Sequence, residues 1–173
     1  MNSHEGIENY LKTIIKVGVV EEFFPESSTA AVRFPDEKDF KSGPLRILHP
    51  NAGNTRDFNV LAKGENVLCL FLPTGRERGF ILGALYRDPF PPAESDAHTR
   101  SVVFPDGTRV AYDWESKKMD VDCRGDITMK ATGNISLKAG GGLSIHADGG
   151  TSCTGGGSFS IRAASIHLNE GGD

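Results

Sequence analysis

From Met119 the chain reads Met119-Asp120-Val121-Asp122-Cys123-Arg124-Gly125-Asp126, then Ile127-Thr128-Met129-Lys130-Ala131-Thr132-Gly133-Asn134, then Ile135-Ser136-Leu137-Lys138-Ala139, and this eight-residue pattern runs without a gap to Ala163. One apolar column holds Met119, Ile127, Ile135, Leu143, Thr151 and Phe159. A second, two residues on, holds Val121, Met129, Leu137, Ile145, Cys153 and Ile161. A third is small throughout: Cys123, Ala131, Ala139, Ala147, Gly155 and Ala163. Mostly polar residues separate the columns, so each unit predicts a short strand with one apolar and one polar face. The connectors Arg124-Gly125, Thr132-Gly133, Gly140-Gly141-Gly142 and Asp148-Gly149-Gly150 suit tight turns. A strand and a turn, repeated, predict a β-solenoid.

An octad is too short for one chain to enclose a core of its own. Three such ribbons about a common axis would each supply one wall of a triangular tube, with two large apolar residues per octad facing the axis. Burying a Leu, Ile or Phe side chain is worth ~1.5–3 kcal/mol. A lone ribbon would leave that face wet while losing ~1–2 kcal/mol of chain entropy per residue. The repeat therefore predicts an obligate homotrimer with a β-helical spike over residues 101–169. Its core residues are expected to be Val110, Tyr112, Trp114, Met119, Val121, Ile127, Met129, Ile135, Leu137, Leu143, Ile145, Cys153, Phe159 and Ile161.

Upstream, Ile7, Leu11 and Ile14 stand at helical spacing and predict a short amphipathic helix within residues 1–13. Five short strands are expected next, over 14–20, 29–34, 45–48, 66–72 and 78–86, with turn signals between them, which suits a five-stranded OB-type barrel over residues 14–87. Gly79 and Gly83 are read as corner glycines of the last strand. The proline-rich stretch from Arg87 to Asp96 breaks every period and marks a linker over 88–100. Beyond it, Val102/Phe104 and Val110/Tyr112/Trp114 predict two strands about Pro105-Asp106-Gly107-Thr108, forming the base of the spike; residues 170–173 are left as a tail. The fold class is thus all-β, a barrel followed by an intertwined β-helix.

Composition narrows the function classes. The 173 residues contain no apolar run near the ~20 needed to span a bilayer. The start Met1-Asn2-Ser3-His4-Glu5 lacks the features of a signal peptide, so synthesis in the cytoplasm is expected. Cys69, Cys123 and Cys153 lie far apart on apolar positions and read as buried thiols. A net charge of -4 gives no basic footprint, and no nucleic-acid partner is expected. His49, His98 and His146 form no legible catalytic set, so the chain is read as no enzyme. Arg124-Gly125-Asp126 and Gly140-Gly141-Gly142 are read as connector turns.

Gly18-Val19-Val20, the run from Gly64 to Phe71, the strand from Gly79 to Tyr86, the linker, Phe104-Pro105-Asp106-Gly107-Thr108 and the octads occur in an order that resembles the phage baseplate assembly protein V family, central spikes of Mu-like contractile tails. The resemblance covers nearly the whole chain. It implies a homotrimer whose barrels dock on the tail hub and baseplate and whose β-helix is driven through the host outer membrane, in a phage, a tailocin or a related particle. Many such spikes hold an iron ion at the tip through His-x-His pairs. Here the end reads Ser165-Ile166-His167-Leu168, so His167 is the one candidate ligand for an ion at the tip and no cofactor is otherwise required. Strict octad register would turn His167 inward; Ile166 and Leu168 favour a one-residue slip that turns it out and leaves an apolar end, which could seat a separate tip protein of the PAAR type. A binding module for nucleic acid or glycan, trimerised by a β-helical stalk, is the alternative.

Overall fold

The computed structural model describes residues 14–72, 78–88 and 90–167. The helix expected over 1–13 lies outside them, as do Leu168 and the tail. Every described element is a strand, apart from one 3-10 turn at Pro35–Glu37.

Six strands make the first sheet: β1 (Ile15–Phe24), β2 (Thr29–Phe34), β3 (Phe40–Lys41), β4 (Leu45–Ile47), β5 (Asn66–Phe71) and β6 (Gly79–Leu85). Five of them close into a ring in the order β1-β5-β6-β4-β2, with β2 returning to β1 and β3 added beside β2. All contacts in the ring are antiparallel except β4 with β6, where Arg46 meets Phe80 and Ile47 meets Ile81 in parallel. This is the OB-type barrel expected from the sequence.

Alternation fills the barrel. Val20 on β1, Ala30, Val32 and Phe34 on β2, Leu45 on β4, Val67, Cys69 and Phe71 on β5 and Ile81 on β6 form the core. Phe34 meets Phe71 edge-on at 5.5 Å between centroids. Ser42, buried beyond β3, accepts the Val32 amide at 3.0 Å and returns its own N–H to the Val32 carbonyl at 2.8 Å, so the end of β2 keeps its bonding. At one end of the barrel the Lys16 ammonium pairs with Glu37 and sits 5.7 Å from the Phe71 ring centroid. Burial pushes the Cys69 thiol up to about 12, so it stays protonated and unreactive.

β1 is longer than the apolar pattern implied. It pairs with β5 through Val19 and with β2 from Val19 to Phe24, changing partner at a bulge between Val20 and Glu22. Glu21 and Glu22 end the apolar run in sequence, but a bulge admits them without ending the strand. The two glycines of β6 also divide. A Cβ on Gly79 would lie 2.8 Å from Phe71 Cδ1, whereas one on Gly83 would meet nothing within 4 Å, so only Gly79 is set by close packing. Gly18 is tighter: its Cβ would stand 2.3 Å from Val32 Cγ1 and 3.0 Å from the Arg33 carbonyl. Val32 is fully buried and cannot yield. Gly18→Ala is expected to destabilise the barrel by ~1–3 kcal/mol, the usual cost of overpacking, read as a lower urea midpoint with an unchanged slope.

A second sheet follows: β7 (Thr99–Val103), β8 (Arg109–Asp113) and β9 (Lys118–Asp122), an antiparallel meander. It contains the two strands expected at the base of the repeat. Its third strand is the first octad itself, folded back so that Met119 pairs with Tyr112 and Val121 with Val110. The described residues from Thr128 onward form a separate unit.

Candidate assembly surface

The meander is held at its turns by aspartates. Asp96 accepts the His98 amide at 3.0 Å and the Thr99 hydroxyl at 2.9 Å ahead of β7. Asp106 takes the Thr108 amide at 2.9 Å and its hydroxyl at 3.0 Å in the β7–β8 turn, where Gly107 adopts φ 88°. Asp113 accepts the Glu115 amide at 2.9 Å and the Ser116 hydroxyl in the next turn. Hydrogen bonds to the charged form hold all three carboxyls below their usual range. Glu94 is likewise lowered, chiefly by Arg109, whose Nη2 lies 2.6 Å away. A lowered folded pKa contributes stability above the ordinary carboxylate value and loses it as pH falls through the lowered one. The meander is therefore expected to loosen on acidification below about pH 4, seen as loss of amide protection at Gly107, Thr108 and Ser116 before the barrel unfolds.

Cross-strand pairing gives the meander two unlike faces. One carries the rows Val102–Val110–Val121 and Arg100–Tyr112–Met119, with Trp114 just beyond β8. The other carries Ser101–Ala111–Asp120 and Thr99–Asp113–Lys118. Ala111 on this second face is only 5% exposed, and Arg109 in the same strand is clamped to Glu94 of the linker. The apolar face stays open: Met119 is 68% exposed and Val121 57%.

Beyond β9 the eight-residue period is visible in the backbone. Bends fall at Arg124-Gly125, Thr132-Gly133, Gly140-Gly141, Asp148-Gly149, Gly156-Gly157 and Ala164, each eight residues after the last. Between them the single chain forms no β-ladder, and every residue from 124 to 167 is exposed. The strands expected in this stretch have no ladder partner among the described residues, so their amides and carbonyls have no ladder to join there. Ile127, Met129, Ile135, Leu137, Leu143, Ile145, Phe159 and Ile161 are all more than half exposed, Ile145 at 74%. Cys153, expected to be buried, is exposed in the single chain, and Cys123 is half-buried; only Cys69 lies in a core the chain makes alone.

At the end of the described residues, the bend at Ala164 keeps the spacing. Counted in strict octads, residue 167 falls in the column of Met119 and Phe159. Ile166 is 51% exposed, and Leu168 lies outside the described residues. Among the described residues of one chain, no three His, Cys, Asp or Glu side chains gather at a metal-binding distance.

His146 Nε2 lies 3.3 Å from Asp148, and His98 Nδ1 lies 3.3 Å from Asp96 and 3.2 Å from Glu115. One juxtaposition was not legible in sequence: Ser28, in the β1–β2 turn at φ 49°, has its hydroxyl 2.7 Å from His49 Nε2. Twenty-one residues separate them, and only barrel closure brings them together. His49 Nδ1 is buried without a hydrogen-bond partner among the described residues, so the pair lacks an orienting carboxylate.

No protein-family model matches the chain, and no curated protein matches it.

Proposed function

We propose that this chain is one third of a homotrimeric, non-enzymatic spike of a contractile injection particle, in which the OB barrel docks on the tail hub and the repeat forms an intertwined β-helix that pierces the host outer membrane. One observation carries the reading: a backbone bent at every eighth residue while its apolar columns stay exposed and without a ladder. Such a ribbon is stable only where other strands supply both its hydrogen bonds and its dry face. Two further copies provide both, because equivalent columns meet at a shared axis. Met119 and Val121 belong at once to β9 and to the first octad. A tube of three shared walls has little free sheet edge and bears load along its axis. At the tip the trimer either seats a separate protein of the PAAR type on an apolar surface that includes Ile166 or holds an ion through three copies of His167.

Thiol reactivity tests the packing. Cys69 is silent in any folded form. In the spike Cys153 faces the axis, and it is expected to resist alkylation until the protein is denatured; rapid labelling of native protein at Cys153 would refute the intertwined repeat.

A second reading has its own observation. Arg46, Phe80, Pro44, Leu72 and Arg78 line one hollow on the outer face of β4 and β6, at the loop side where OB barrels take oligonucleotides. Neither arginine has an ion pair among the described residues. Tight, salt-dependent binding of single strands by the full chain would favour a nucleic-acid module with a trimeric stalk.

A further inference from the structure

We propose that the repeat carries an outward basic column that docks on a phosphate-bearing anionic lipid surface. The proposal rests on the spike reading for how the chains pack.

The bends fix which residues share a column. Next to the apolar column of Val121 and Leu137, and opposite it by alternation, stand Asp122, Lys130, Lys138, His146, Thr154 and Arg162 at steps of eight. Two residues earlier, on the same side, stand Asp120, Thr128, Ser136, Ser144, Ser152 and Ser160. The charge changes sign along the repeat. At its base the acids are paired, Lys118 with Asp120 at 3.0 Å and Arg124 with Asp122 at 3.1 Å. From residue 128 to 167 the only acid is Asp148, and it lies against His146. Lys130, Lys138 and Arg162 have no acid partner among the described residues, in a chain whose net charge is -4. Cations gathered in one column repel each other unless an anion covers them.

The neighbouring column decides the kind of anion. From residue 128 it is wholly Ser and Thr, with no aromatic or bulky apolar side chain. Single-stranded nucleic acid is held by stacking of bases on aromatic rings as well as by charge, and the outward columns offer no Phe, Tyr or Trp, His146 being their one ring. A flat hydroxyl surface with spaced Lys and Arg suits a sheet of lipid phosphates, each cation near the surface strengthening attachment about fivefold.

The test uses the purified full chain, sedimented with vesicles of phosphatidylcholine alone or with added phosphatidylglycerol, at low and physiological salt. Wild type is expected to bind only the phosphatidylglycerol vesicles, and less so as salt rises. Changing Lys130, Lys138 and Arg162 to Gln together should weaken binding on the order of a hundredfold, while changing the barrel cations Lys38, Arg56 and Lys63 to Gln leaves it intact. Equal binding to both vesicles, an unaffected column variant, or displacement by a random oligonucleotide at lower concentration than by phosphatidylglycerol would each overturn the proposal. Native mass is measured on the same samples. A protein that is not trimeric fails the spike reading, whereas a trimer without lipid preference fails the docking column alone.

Discussion

Leu137→Asp is expected to abolish assembly, leaving the chain with the native mass of a single copy. Leu137 is more than half exposed in the single chain, and its surroundings within that chain offer no reason for a carboxylate there to matter. In the proposed spike three copies of residue 137 would converge on one axis. Each replacement forfeits ~1.5–3 kcal/mol of apolar burial, and each buried carboxylate adds several kcal/mol of desolvation. Three like charges brought together in a dry core add mutual repulsion. The total far exceeds what neighbouring layers can offset. Ser136→Asp, one residue away on the outward side, should assemble normally. Sedimentation velocity on the two variants reads the difference, and a trimeric Leu137→Asp protein would contradict the column assignment.

Phe34→Ala should cost the barrel ~3–5 kcal/mol, the usual range for truncating a buried phenylalanine. Phe34 is 2% exposed, edge-on to Phe71 at 5.5 Å and stacked on Phe40 at 6.3 Å, with the Lys16 ammonium 6.0 Å from its ring centroid. Small domains are stable by only about 5–15 kcal/mol, so the variant should lose much of its cooperative barrel transition in urea while the repeat still assembles. A variant with an unchanged midpoint would show that the barrel's stability does not rest on this cluster.

The barrel was legible because its signals are local. Val67, Cys69 and Phe71 alternate with Leu68 and Leu70, and Pro and Gly punctuate the ends of strands. What sequence reading missed depends on partners distant in the chain. The extension of β1 past Glu21 needs the bulge and the arrival of β2. The role of Gly79 needs the Phe71 ring, and the Ser28–His49 contact needs the closed barrel. The third strand of the meander was read only as an octad, because Met119 and Val121 fit both the columns and an antiparallel partner for β8. The octad period itself was the clearest signal in the chain. It reappears as bends eight residues apart, since glycine-rich connectors dictate where the backbone turns whatever packs against it.

Light scattering on the intact chain, before and after mild SDS, tests the intertwined trimer most directly. The expected result is a native mass three times that of the 18.6 kDa chain, retained in detergent. A mass of one chain at micromolar concentration would contradict it.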